Sequence, residues 1–417
     1  MKKYVFLACD IHSLGGGQTY INTKIKFLEQ KGYLVYVFST GNKYTFIPYK
    51  NLKKYNETTF YDFLFPPMCL KNSRIKRVLK KFNKVVRPNN EDEIIIESYD
   101  DKTAFWGEII AKKFNCKHFC FSINEVFEGN KIYYKDNIDF FKFKFERKEL
   151  AFISRNWNEL LFDNEYKDID TSDFVLVAYS NAVEDIDNII INKIKKYDFN
   201  IAYIGRYNKL YVANILNDIV LFSKNHENKT IGFTLVGDSI EHKMEIFKYF
   251  NNLKNIHLFF TGTLIPMPKK LFSKFDAIIA GAGCARFSYF NSKYVIVPDA
   301  SNGKCNGLLG YDTMDRLYHE EGLIQTDFCT SLENALVKRV YDDKGRKTIV
   351  VEDSMIYYEK HLEFINDSNQ DSNYYDINRL KKMSKPNKLY FKCLIHDYMF
   401  FIYSFKSFFG RIIKKKG

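Results

Sequence analysis

The chain has 417 residues, 46% of them hydrophobic, which is enough for two domains with cores of their own. Its formal net charge of +13 fits a phosphate-rich partner, whether nucleic acid, anionic membrane or diphosphate substrate, and the placement of the charge decides among these. Eight scattered cysteines exclude a small disulfide framework and suit a reducing cytosol, and no apolar run reaches the roughly 20 residues that a membrane-spanning helix requires. The 17% aromatic content accompanies abundant Lys, Asn and Ile and is not read as a nucleic-acid stacking surface.

The first predicted element is a strand, Tyr4 to Cys9. Its apolar run is interrupted by Asp10 and His12, far short of a secretory segment. Ser13-Leu14-Gly15-Gly16-Gly17 then leads into a helix from Gln18 to Gln30, with Gly32 at its C-terminal end and a strand at Leu34–Phe38. Glycines let backbone N–H groups approach a ligand closely, and a helix N-terminus favours negative charge, so this turn suits an anion or a sugar hydroxyl. Purely steric glycine turns look the same. A dinucleotide fingerprint fails because Tyr20 stands where a third glycine is needed, and no Gly-Lys-Ser or Gly-Lys-Thr follows to make a nucleotide-hydrolysing loop.

Further strands are predicted at Glu93–Glu97 and Lys117–Ile123, with helices around Thr103–Phe114 and Lys142–Ser154. Cys116, His118 and Cys120 are close enough to suggest a metal clip, but they sit in a strand pattern and read as packing. Asn124-Glu125 ends that strand, where Glu125 is either an acceptor-side base or a cap for the next segment. After Asn181 to Asp185 a second cycle begins: strands at Ile201–Ile204, Gly232–Val236, Ile256–Phe260, Ala277–Ala280 and Tyr294–Val297, with helices at Val212–Ser223 and Glu241–Phe250. Several of these strands end in a glycine turn, namely Gly205-Arg206, Gly237-Asp238, Thr261-Gly262-Thr263-Leu264 and Gly281-Ala282-Gly283. Ligands of open α/β sheets bind beyond the carboxyl ends of the strands, so these turns gather along one site.

From about Asn366 to Asn387 the composition is that of a polar linker. From Lys381 onward, lysines and Arg411 surround the aromatic run Tyr398–Tyr403 with a surplus of roughly +9, which suits an element lying in the headgroup plane of an anionic leaflet. A C-terminal helix packed on the first domain is the other reading. With most of the surplus charge in the tail, nucleic-acid binding is not expected.

These features resemble the GT-B glycosyltransferases, and within them the retaining family-four type of bacterial surface-polysaccharide assembly. The resemblance rests on Gly15-Gly16-Gly17 with Lys31 to Phe38, on Ser180-Asn181-Ala182-Val183, on Gly205-Arg206 followed by Lys209, and on Val236-Gly237-Asp238. It implies two Rossmann-like domains with parallel sheets facing a central crevice, an acceptor domain at 1–185 and a nucleotide-sugar domain at 186–365. The polar linker would run over 366–387 and a membrane-associating tail over 388–417. It also implies sugar transfer, with retention, from a nucleotide-sugar donor to a membrane-borne glycan or lipid-linked acceptor on the cytoplasmic face. No cofactor or metal is expected, since no Asp-x-Asp appears where the diphosphate would lie.

Arg206, Lys209 and Gly205 would hold the donor diphosphate, joined by Gly281, Gly283 and Arg286. Gly237, Asp238, Gly262, Thr263 and Leu264 would shape the nucleotide pocket. His12, Gly15, Gly16 and Gly17 would serve the acceptor or a phosphate, and Asn124 and Glu125 the reacting centre. The family's paired glutamates fall on Ala280 and Ser288, which lack the carboxylates to take over the donor contacts. That departure keeps a second reading open, a non-catalytic sugar-nucleotide-binding or scaffold protein.

Overall fold

The computed structural model describes residues 1–11, 15–40, 49, 52, 61–122, 137–153, 157–178, 183–237, 240–349, 354–368 and 373–380. The chain divides into two compact units, Met1–Tyr179 with Asp353–Gly417, and Ser180–Glu352. Asn124, Glu125, His12, Asp238 and the basic tail lie outside the described residues.

The first unit alternates strands β1 (Lys2–Asp10), β2 (Leu34–Thr40), β3 (Glu93–Ser98), β4 (Lys117–Ser122) and β5 (Leu150–Phe152) with helices α1 (Gly16–Gln30), α2 (Asn72–Val86), α3 (Asp101–Phe114), α4 (Ile138–Glu146) and α5 (Trp157–Phe162). The sheet is parallel throughout, in the order β2-β1-β3-β4-β5. Tyr4 to Leu7 and Ile94 to Ile96 are buried runs without polar alternation, as a strand covered on both faces demands. Helix α3 begins where the Asp100 side chain accepts from the Thr103 N–H at 2.8 Å and Thr103 Oγ1 accepts from the Asp100 N–H at 3.1 Å.

The second unit contains strands β6 (Val183–Glu184), β7 (Phe199–Ile204), β8 (Ile231–Val236), β9 (Ile256–Gly262), β10 (Met267–Pro268), β11 (Ala277–Ala280), β12 (Tyr294–Pro298) and β13 (Cys305–Leu308). Its helices are α6 (Val212–Asn225), α7 (Ile240–Phe250), α8 (Ala282–Asn291) and α9 (Phe328–Leu332). The main sheet runs β13-β12-β11-β7-β8-β9, parallel except for β13. Strand order therefore reverses beside β7, whose sequence successor β8 lies on one side and β11 on the other. That is the doubly wound pattern, with its ligand-binding switch point between β7 and β11.

Three expectations change. The helix expected at Lys142–Ser154 is α4, which ends by Arg147, and the left-handed Lys148 (φ 54°) turns the chain into the buried strand β5. Helix α10 (Ser354–Asp367) belongs with the first unit, not with the second domain as the 186–365 boundary implies. Part of the expected linker is also packed: Tyr375 and Leu380 are buried in the first unit's aromatic core, and the Tyr375 N–H donates to Glu108 at 2.7 Å.

Two buried polar clusters hold this arrangement. In one, Lys24 Nζ pairs with Glu97 at 2.7 Å with both side chains fully buried, and Tyr4 and Tyr20 donate to the same carboxylate. His361 of α10 completes it. Its Nε2 faces the Val177 carbonyl at 3.0 Å, so Nε2 carries the proton and Nδ1 is the acceptor, 3.2 Å from Tyr20 Oη and 3.3 Å from Lys24 Nζ. In the other, His118 donates from Nδ1 to Glu108 at 2.8 Å and accepts from Ser98 at 3.0 Å, while Lys144 bridges Glu108 and Glu149. Among the described residues no metal-binding group of three forms; the Cys116 and Cys120 thiols are pushed up to about 12 by burial.

Burial, reinforced by the Lys24 charge, holds His361 well below its usual pKa, against the pull of the Val177 carbonyl. Burial likewise lowers His118, to about 4. Both stay neutral in the fold, whereas in the unfolded chain each takes up a proton near pH ~6.5, so stability is full above that value and falls as pH drops below it. Each histidine contributes a slope of up to ~1.4 kcal/mol per pH unit. Melts of the first unit between neutral pH and pH ~5 should show this loss, and His361→Gln should flatten it. An unchanged slope in the variant would refute the assignment.

Candidate functional site

The site is built from the turns at the carboxyl ends of β7, β8, β9 and β11. Backbone bonds stitch the first three together: Gly205 N–H donates to the Val236 carbonyl at 3.0 Å, and Gly237 N–H to the Gly262 carbonyl at 3.1 Å. A Cβ on Gly237 would stand 2.0 Å from the Gly205 carbonyl oxygen, so only glycine permits the β7 and β8 turns to close on each other. Beneath Gly205 lies Tyr203, whose hydroxyl donates to the Arg206 carbonyl at 2.8 Å and fixes the turn that presents the exposed Arg206 side chain.

Because Ile204 pairs with Ala280, this turn lies beside the start of α8. Gly281 caps the helix without a side-chain acceptor, and Ala282 takes a left-handed conformation (φ 51°), uncommon for a residue with a Cβ. The Ala282 N–H is taken by the Arg316 carbonyl at 2.8 Å. The next two N–H groups, of Gly283 and Cys284, have no acceptor within the helix and carry the positive end of its dipole. Burial raises the Cys284 thiol to about 11, with the Arg206 charge pulling the other way. Chemically the arrangement can hold a di-anion: two backbone donors and a helix dipole stand at the switch point, and the neighbouring β7 turn carries the exposed Arg206.

Arg286 lies half-buried in the second turn of α8, and Lys209 lies half-buried in the turn before α6, its carbonyl accepting from Val212 at 3.1 Å. Gly262 (φ 69°) ends β9 and Thr263 and Leu264 follow it, three strands from β11 and the helix mouth. In the first unit Gly15 caps α1, its carbonyl accepting from Thr19 Oγ1 at 2.9 Å and from Tyr49 at 3.2 Å, with Gly16 exposed and Gly17 half-buried beside it.

The residues at the glutamate positions offer no substitute. Ala280 and Ser288 are both fully buried, and Ser288 Oγ has no hydrogen-bond partner. Asp299, directly after β12, is also buried, and its oxygens accept from Ser301 and Gln325.

Arg316 is the residue that sequence reasoning missed. It sits in a loop shaped by carboxylates, with Asp315 accepting from the Leu317 and Tyr318 N–H groups and Glu320 from Thr313 and Met314. No local motif marks it, since its bond to Ala282 spans a long stretch of chain.

Gly237→Ala should force the two turns apart at a cost of about 1–3 kcal/mol. Gly283→Ala, whose Cβ would meet nothing within 4 Å, should be mild. Hydrogen exchange at the β7 and β8 amides would distinguish them, and equal protection in both variants would contradict the close approach.

No protein-family profile and no curated protein matches this chain. Solved structures do. A glycosyltransferase from Rickettsia africae superimposes with a TM-score of 0.53 at 14% identity, covering 91% of this chain and 96% of that one. HepE from Anabaena, in complex with UDP, gives a TM-score of 0.51 at 12% identity, covering 91% and 97%, and HepE with UDP and glucose also gives 0.51. The likeness shows the fold: the chain is α/β, built of Rossmann-like domains with parallel sheets, and shares the GT-B fold of these structures.

Proposed function

We propose that the chain is a glycosyltransferase that uses a nucleotide-sugar donor and seats the donor's diphosphate at the mouth of α8. The observation that carries the reading is the β7/β11 switch point, where the turn bearing the exposed Arg206 lies beside the start of α8 and its Gly283 and Cys284 N–H groups. HepE, alike in fold, is known in complex with UDP and with UDP-glucose.

In the reaction, the bond between the sugar's anomeric carbon and the diphosphate oxygen breaks, and its electron pair leaves on the diphosphate. Arg206, Lys209, Arg286 and the helix dipole stabilise that charge, which is the largest electrostatic demand of the step. An acceptor hydroxyl oxygen bonds the anomeric carbon with retention, and its proton passes to Glu125, with Asn124 beside it. Gly237, Asp238, Gly262, Thr263 and Leu264 take the nucleoside, and His12 and Gly15 to Gly17 serve the acceptor or a phosphate. The acceptor is a glycan or lipid-linked sugar of cell-surface polysaccharide assembly, and the basic tail at 388–417 holds the enzyme to the inner leaflet. No helix among the described residues is long and apolar enough to cross a membrane.

A second reading is favoured by the buried Ala280 and Ser288, which leave the donor sugar without its expected carboxylates. On that reading the protein binds a sugar nucleotide and scaffolds the assembly without turnover.

The test is release of nucleoside diphosphate from UDP-, GDP- and ADP-linked sugars with anionic vesicles and lipid-linked acceptors present. Turnover of one donor supports the transferase. Tight nucleotide binding without turnover supports the scaffold, and absence of binding overturns both.

A further inference from the structure

We propose that the open edge of the second unit's sheet, along β9, docks an extended acidic segment of a partner protein. The sheet order leaves β9 terminal, paired with β8 alone among the described strands, so one row of its backbone N–H and C=O groups faces outward over seven residues. Such an edge is a template for an added strand.

The surroundings favour occupation. A depression of about 490 Å³ wraps this edge, with His257, Leu258 and Phe259 of β9 in its wall. On one side the Tyr197 ring stacks on His257 at 4.6 Å and 11°; on the other, Phe247 packs on Phe260 at 5.2 Å and remains 42% exposed. Met244, on the same helix as Phe247, is 70% exposed. Alternate side chains of an added strand would find apolar ground on both faces of the sheet.

Charge selects the occupant. Lys193 and Lys195 are in the lining and both exposed, and among the described residues no carboxylate lines the depression. Lys243 adds a third cation, 5.4 Å from the Phe260 ring centre. A second copy of this chain would bring the same lysines to the same edge, and like charges brought together are unfavourable. An acidic, extended partner gains both the ladder and the pairing.

The experiment uses the full chain and two fluorescent peptides of about eight residues. One alternates Val with Glu and the other Val with Lys. The Val-Glu peptide should bind saturably in anisotropy, the Val-Lys peptide should not, and the bound state should protect β9 amides from hydrogen exchange. Lys193→Glu combined with Lys195→Glu should weaken Val-Glu binding at least ~10-fold, since each surface cation acts through screened attraction. Both lysines are exposed, so the fold should persist, and an unchanged melting curve checks that. The proposal is overturned if the Val-Glu peptide does not bind, if the double variant binds it equally, or if protection falls away from β9. Self-association through β9 would overturn it in favour of a second copy.

Discussion

The Arg206→Ala protein is expected to bind the nucleoside diphosphate of its donor about 10- to 100-fold more weakly than the wild type, a loss of about 1.5–3 kcal/mol for a charged hydrogen bond to phosphate. If the chain turns over a donor, the rate should fall further, by about 10²–10³-fold, because the charge on the leaving diphosphate is greatest in the transition state. Stability should hardly change: the Arg206 side chain is exposed, and the bond at this turn uses its carbonyl, which accepts from Tyr203 in the variant too. Calorimetric titration beside a thermal melt separates the two effects. Equal affinity in both proteins would remove Arg206 from the site. A collapse in stability would mean that the guanidinium holds the fold and not a ligand.

The largest effect on stability is expected from Glu97→Gln. Lys24 and Glu97 are fully buried and 2.7 Å apart, and Tyr4 and Tyr20 donate to the carboxylate from either side. Burial already pushes the Lys24 ammonium below its usual pKa, with Glu97 opposing. Removing the carboxylate's charge leaves a buried cation without its partner, at a cost of about 3–5 kcal/mol. Replacing both groups, as Lys24→Met with Glu97→Leu, should recover much of the loss, because the pair's desolvation is then avoided. The chain's two tryptophans, Trp106 and Trp157, are both buried in the first unit, so their fluorescence in urea follows that unit alone. A double variant as unstable as Glu97→Gln would contradict the account.

What was legible in the sequence follows from the range of the interactions. The glycine turns after β7, β8 and β11 could be read directly, because close backbone approach at the end of a buried strand needs glycine locally. Gly237 against the Gly205 carbonyl is the clearest case. The α/β alternation was legible for the same reason, each strand being a continuous apolar run. Strand β5 was not: three residues carry no periodicity, and it exists because Leu150, Ala151 and Phe152 pair with β4. Helix α2 was overlooked although Val78, Phe82 and Val86 stand at helical spacing, since basic residues crowd between them. The return of α10 to the first unit was out of reach altogether, for it depends on His361 meeting Tyr20 and Lys24 from the far end of the chain. Arg316 at the mouth of α8 is the same kind of long-range fact.

The most direct test of the central claim is a crystal structure of the full chain with the nucleoside diphosphate of its donor. The diphosphate should lie about 3 Å from the Gly283 and Cys284 N–H groups, with the Arg206 guanidinium against it. A nucleotide bound elsewhere, with the mouth of α8 lacking phosphate, would contradict the site and the function built on it.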